Sequence, residues 1–131
     1  MSGIARAAAH VPYRRLDRSA IREVAGVGGG KGTRAVASFD EDSTTLAVAA
    51  ARGVLRDGPA PSLLLHATAS PPYLDKTNAT VVHAALRLPD DCGAWDAGAS
   101  VRAAVGALRL GLERPGTTLV TAADVLSLIH I

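Results

Sequence analysis

A chain of 131 residues, 48% hydrophobic and 20% charged, is sized and balanced for one globular domain or part of a larger one, and is too apolar for a disordered segment. Aromatics make up only 3%, so the core must be built from Ala, Val and Leu, whose small areas call for closely packed layers or a partner surface. The net charge of +2, from 14 basic and 12 acidic residues without a concentrated basic stripe, argues against nucleic acid. Cys92 is the single cysteine, which excludes an intramolecular disulfide, and no apolar run has the length of a signal peptide core or a bilayer span. The expectation is a soluble cytoplasmic protein with no membrane partner.

The alanine-rich stretch at residues 3–9 reads as a first strand, although Ala is a poor strand former. Asp17 is placed to cap a short helix over Arg18–Ala25, and Gly26 to end it. A glycine-rich loop follows. Residues 38–55 read as a longer helix, with Asp40, Glu41 and Asp42 near its start, where acids suit the macrodipole. Leu46, Ala50 and Val54 recur along it at helical spacing.

Residues 62–68 form an apolar run between Pro61 and Pro71, the pattern of a buried strand. A loop leads to a helix over Asn78–Leu86, then a strand at 93–98. The next helix is expected from Val101, with Val101, Val105 and Leu108 on one side. A last strand lies in residues 117–125. Strands alternating with helices imply an α/β layered fold with a mixed, mostly parallel sheet. The apolar tail, residues 125–131, reads as truncated or non-native.

The glycine loop, GVGGGKGTRAV at 26–36, invites comparison with a phosphate-binding P-loop. That motif, G-x-x-x-x-G-K-[ST], would put its first glycine at Ala25 and its Mg²⁺-binding hydroxyl at Gly32. Both positions fail, and the loop follows a helix rather than a strand. A looser anion contact survives, in which glycine N–H groups form a nest and Lys31 and Arg34 supply charge. The plainer reading is a mobile interhelical loop with two solvated cations.

Several segments together resemble a thiolase-fold condensing enzyme, of the hydroxymethylglutaryl-CoA synthase or 3-oxoacyl-ACP synthase III type. They are GIARAAAHVPYRRLDRSAI, RAVASFDEDSTTLAVAAARGVL, LLLHATASPPYLDKTNATVVHAAL, AWDAGASVRAAVGALRLGL and TTLVTAADV. The resemblance implies a five-layer αβαβα fold, with residues 1–124 forming the N-terminal half of a thiolase-like domain. It implies an acyl-CoA or acyl-ACP substrate, no permanently bound cofactor, and a homodimer or a thiolase-fold partner. The strand at 93–98 would pair across that dimer, and the loop at 70–78 would contact it. Trp95 would anchor the core or the interface, with the core expected. By the same resemblance, Lys31 and Arg34 would meet the phosphates of coenzyme A.

The chemistry implied by the resemblance meets two departures. The family's acyl-accepting cysteine stands five residues after a strand aspartate, and counting from Asp96 this position is Val101. The synthase branch's acid/base glutamate falls at Ala69. Neither side chain can do that work. Ser100, beside the empty cysteine position, is a substitute nucleophile if a histidine reaches it, but serine is also a preferred helix N-cap. His66 lies in an apolar strand near the expected active end, as a core histidine or a weak candidate base. Cys92 reads as structural, with Asp90 and Asp91 raising its pKa. His10, His66, His83 and His130 show no ligand-like spacing, and no metal site is readable. Two functions follow: a condensing acyltransferase, or a non-catalytic acyl-CoA-binding or partner subunit on the same fold.

Overall fold

The structure, a computed structural model, describes residues 2–98 and 100–125. In chain order the elements are β1 (Arg15–Asp17), α1 (Arg18–Ala25), β2 (Thr33–Ala35), α2 (Ser43–Leu55), β3 (Leu63–Ala67), α3 (Asn78–Leu86), β4 (Gly93–Ala97), α4 (Ala103–Glu113) and β5 (Thr118–Ala122).

The sheet that matters for function is three-stranded, wholly parallel, and ordered β4-β3-β5. Leu63, Leu64, Leu65, His66 and Ala67 of β3 are all buried, as expected of the middle strand. Their alternation splits two cores. Leu64 joins Ala47, Ala51, Ala79 and Val82, so α2 and α3 cover its face. Leu63 and Leu65 meet Ala107 of α4 on the other. The cause is topological. The chain leaves β3 in one direction to reach β4 and returns over β3 to reach β5. With one handedness for both crossovers, α3 and α4 must fall on opposite faces. The cores are built from Ala, Val and Leu, as the composition demands.

Local sequence sets the helix ends. The Asp17 carboxylate accepts from the Ser19 N–H at 2.9 Å and starts α1. Gly26 ends it at φ 73°, donating its N–H to the Arg22 carbonyl at 2.8 Å. Asp42 and Thr45 form a reciprocal capping box on α2, with both bonds at 2.8 Å.

Four expectations need correction. Residues 3–9 form no strand; they run as irregular backbone beside a cavity of about 600 Å³ bounded by α2, α4 and β5. The antiparallel pairing instead lies in β1 and β2, three-residue strands too short to show a period. The last helix begins at Ala103, with Arg102 as its N-cap and no side-chain cap bond. Ser100 is therefore not that cap; its carbonyl accepts the Ala103 N–H at 2.9 Å in the preceding turn. Trp95 is 61% exposed, because β4 is an edge strand of the described sheet. The predicted apolar side of α4 is also open: Val101, Val105 and Leu108 are exposed. No described helix is long and apolar enough to cross a membrane. Of the tail at 125–131, only Val125 lies within the described residues.

Candidate functional site

In open α/β sheets, ligands gather at the carboxyl ends of the strands, where neighbouring crossovers diverge. Here that point lies between β3 and β4. The register sets Ala67, Ala97 and Ala122 level with one another. Ala69 stands two residues past the end of β3, and Ser100 and Val101 stand on the turn from β4 into α4. All three are exposed. These three sequence-derived positions thus lie at the carboxyl end of the sheet.

A network of carboxylates and side-chain amides shapes this edge, and sequence reading missed it. Asp124 Oδ1 accepts from the Ala69 N–H at 2.6 Å and from the Thr68 hydroxyl at 3.1 Å, fastening the end of β5 to that of β3. Asp96 accepts from the Asn78 N–H at 2.9 Å, the Asn78 side-chain amide at 3.1 Å and the Ala79 N–H at 2.6 Å. It therefore caps α3 from across the sheet, where Thr77 makes no side-chain cap bond. Partial burial works to raise the Asp96 pKa, but these N–H donors and the nearby His66 outweigh it and hold the carboxyl below its usual value. Asn78 also brackets Tyr73, accepting from its N–H at 3.1 Å and donating to its carbonyl at 3.0 Å. Lys76 Nζ lies 4.0 Å from the centre of the Tyr73 ring. The loop at 71–77 is thus held at its root by Asn78, with Leu74 projecting from it, 92% exposed. The only local signal was an Asn opening a helix after Thr77.

His66 is completely buried. Its side chain shares the face of Leu64, toward α2 and α3, and its Nδ1 lies 2.9 Å from the Thr121 hydroxyl. Nε2 has no partner, so the expectation of a fully satisfied core histidine holds for one nitrogen only. Burial pushes its pKa down, opposed by Asp96, Asp124 and Asp42. Ser100 leads into α4, on the opposite face of the sheet from His66. The two are not brought together, and among the described residues no base bonds the Ser100 hydroxyl. His10 meets Glu41 at 3.4 Å, and His83 meets the Pro89 carbonyl at 3.1 Å. His130 lies outside the described residues. Cys92 is buried, and burial more than Asp91 raises its pKa, which corrects the sequence-based cause. Among the described residues no three His, Cys, Asp or Glu side chains form a metal-ligand group.

Away from this edge, the glycine loop closes the β1–α1–β2 unit. Gly26, Gly28, Gly29, Gly30 and Gly32 all take positive φ. Gly29 is also sterically required: a Cβ there would lie 2.2 Å from the Arg18 carbonyl oxygen. The Arg18 N–H donates to the Gly32 carbonyl at 2.9 Å. The loop is folded onto α1, with Lys31 exposed and Arg34 half-buried on β2, level with Leu16.

No protein-family model matches the chain, and no curated protein matches it significantly. Solved structures do. A 3-oxoacyl-(acyl-carrier-protein) synthase III superposes with a TM-score of 0.79 at 23% identity, over 95% of this chain and 42% of that one. MvaS, in complex with 3-hydroxy-3-methylglutaryl coenzyme A, gives 0.82 at 23% identity, over 94% and 34%. PksG, an HMG-CoA synthase from Bacillus subtilis, gives 0.83 at 20% identity, over 98% and 35%. The chain thus spans well under half the length of each. Its parallel β4-β3-β5 sheet with flanking helices is a thiolase-like fold, the fold of HMG-CoA synthases and of 3-oxoacyl-ACP synthase III.

Proposed function

We propose that this chain handles acyl-CoA or acyl-ACP thioesters as the N-terminal half, residues 1–124, of a condensing-enzyme-type protein of the hydroxymethylglutaryl-CoA synthase kind, and that it forms no acyl-enzyme of its own. One observation carries the second half of this reading. The strand-end positions where the resemblance expects a cysteine and a glutamate hold Val101 and Ala69, on a fold otherwise kept. Valine has no nucleophile and alanine no proton to give. The thiolase-like fold and the thioester named in the MvaS complex support the substrate class. The open edge of β4, with Trp95 exposed on it, supports pairing with a second copy or a thiolase-fold partner. Coenzyme A would then be a substrate carrier, with Lys31 and Arg34 facing its phosphates.

The rival reading is a condensing acyltransferase that uses Ser100 as nucleophile. It needs a base from outside the described residues. Calorimetric titration of the protein with acetyl-CoA tests the thioester reading. Binding that weakens with added salt, and weakens further in the Lys31→Ala/Arg34→Ala variant, is the expected result. No binding of acetyl-CoA or acyl-ACP would overturn it.

A further inference from the structure

His66 stands in a row of side chains that crosses the sheet. The register sets it beside Asp96 of β4 on one side and Thr121 of β5 on the other. Neighbours in register project to the same face, on strands about 4.8 Å apart. All three therefore share the face of Leu64, toward α2 and α3. The ring is completely buried. The Thr121 hydroxyl reaches the Leu65 carbonyl at 3.5 Å as a donor, so it accepts from Nδ1 at 2.9 Å. Nε2 is left with a bare lone pair and no partner among the described residues. A proton taken there makes a buried cation, which needs an acid or water beside it. Three acids face the ring: Asp96 from β4, Asp124 from just past β5, and Asp42 at the start of α2. Each is already employed. Asp124 holds Ala69 and Thr68, Asp42 holds Thr44 and Thr45, and Asp96 holds Asn78 and Ala79. From α3, His83 bonds the Pro89 carbonyl at the last turn and brings no charge to the ring. Diverting Asp96 has the widest consequence. Thr77 makes no side-chain cap bond on α3, and Asn78 also brackets Tyr73 at the root of the loop at 71–77.

We propose that His66 is a proton-operated catch: uptake of a proton at Nε2 is coupled to release of Asp96 from the first turn of α3, which frees the loop at 71–77 while both cores stay closed. The proton comes from water and goes to the Nε2 lone pair. The freed Asn78 and Ala79 N–H groups turn to water. In the closed form burial holds the ring below its ordinary value of 6.5, against the pull of Asp96, Asp124 and Asp42. In the open form the ring regains that value. Acid below about pH 6.5 therefore favours the open form by up to about tenfold per pH unit, until the lowered closed-form value is passed. The exposed Leu74 on this loop thus changes its setting in mild acid. The catch does not depend on the thioester reading.

Residue-resolved amide hydrogen exchange, read by NMR as protection relative to intrinsic rates, tests the catch from about pH 7.5 to about 5, with and without low urea. Protection at Asn78 and Ala79 should fall severalfold below about pH 6.5 and be insensitive to low urea. Leu64 and Val82 should stay better protected and respond to urea, because they open only with the whole fold. In His66→Gln the protection at Asn78 and Ala79 should not change with pH over this range. The His66 ring resonance of the unaltered protein should titrate below its ordinary 6.5. That titration and the exchange of the unaltered protein decide the matter if His66→Gln does not fold. Flat protection at Ala79, an equal fall in His66→Gln, or a ring midpoint at or above 6.5 overturns the catch. So does an Ala79 amide that shares the protection and urea dependence of Leu64, since the opening would then be global.

Discussion

Asp96 is the hinge-pin of the strand-end network, and its removal should be felt at α3. Asp96→Ala leaves the Asn78 and Ala79 N–H groups without acceptors at the start of the helix. Losing a helix cap costs about 0.5–2 kcal/mol, and each hydrogen bond to a charged group contributes about 1.5–3 kcal/mol. Water can replace part of this, because the Asp96 carboxylate is only partly buried. The net loss should be about 2 kcal/mol, which for a domain of this size lowers Tm by about 6–10 °C. Asp96→Asn keeps one acceptor oxygen and should lose about half as much. The assay is thermal and urea denaturation of both variants beside the unaltered protein. The sign with pH is also fixed. A carboxyl held below its ordinary value of 3.8 contributes fully above that value and loses its contribution as pH falls through the lowered one. The gap between the unaltered protein and Asp96→Ala should therefore stay constant from neutral pH down to about 5 and close in stronger acid. An Asp96→Ala protein that melts with the unaltered one at neutral pH would refute the cap.

Three other outcomes follow from the same contacts. Burial holds His66 neutral in the fold, so an unfolded chain takes up a proton below about pH 6.5 that the fold resists, and stability should fall there by at most about 1.4 kcal/mol per pH unit. His66→Gln should flatten that slope in pH-dependent denaturation, and an unaltered slope would assign it elsewhere. Gly29→Ala forces a side chain at φ 82° into the Arg18 carbonyl and should cost the β1–α1–β2 unit about 1–3 kcal/mol. Tryptic cleavage at Arg18 or Arg22 should accelerate while the main sheet melts as before; unchanged cleavage would show that the loop does not depend on this contact. The 131-residue chain by itself exposes Trp95, Val101, Val105 and Leu110, and should self-associate or precipitate. Sedimentation showing a monomer with cooperative melting would contradict this.

The elements with strong local signals were legible. Asp17 and Gly26 bound α1, Asp42 starts α2, and the apolar run at 63–67 is the central strand. What failed depended on partners distant in sequence. The alanines at 3–9 have the length of a strand but no pairing in the described structure. β1 and β2 exist only because they pair with each other. Trp95 reads as core until strand order puts it on an edge. Ser100 looks like a cap, yet the turn carries the chain past it before α4 begins at Ala103. At the candidate site the structure places Val101 and Ala69 just past the ends of β4 and β3, while matching them to the expected cysteine and glutamate rests on the sequence resemblance alone. The bonds from Asp96 to Asn78 and from Asp124 to Ala69 were not legible in the sequence, since each spans more than a whole element. The separation of Ser100 from His66 likewise comes from the crossover directions, which place α3 and α4 on opposite faces.

Whether this fold keeps the thioester and loses the acyl-enzyme is decided by the mass of the intact protein after incubation with acetyl-CoA. The account predicts an unmodified mass under conditions where calorimetry records binding. A stable gain of one acetyl group, absent from Ser100→Ala, would contradict it and make Ser100 the nucleophile.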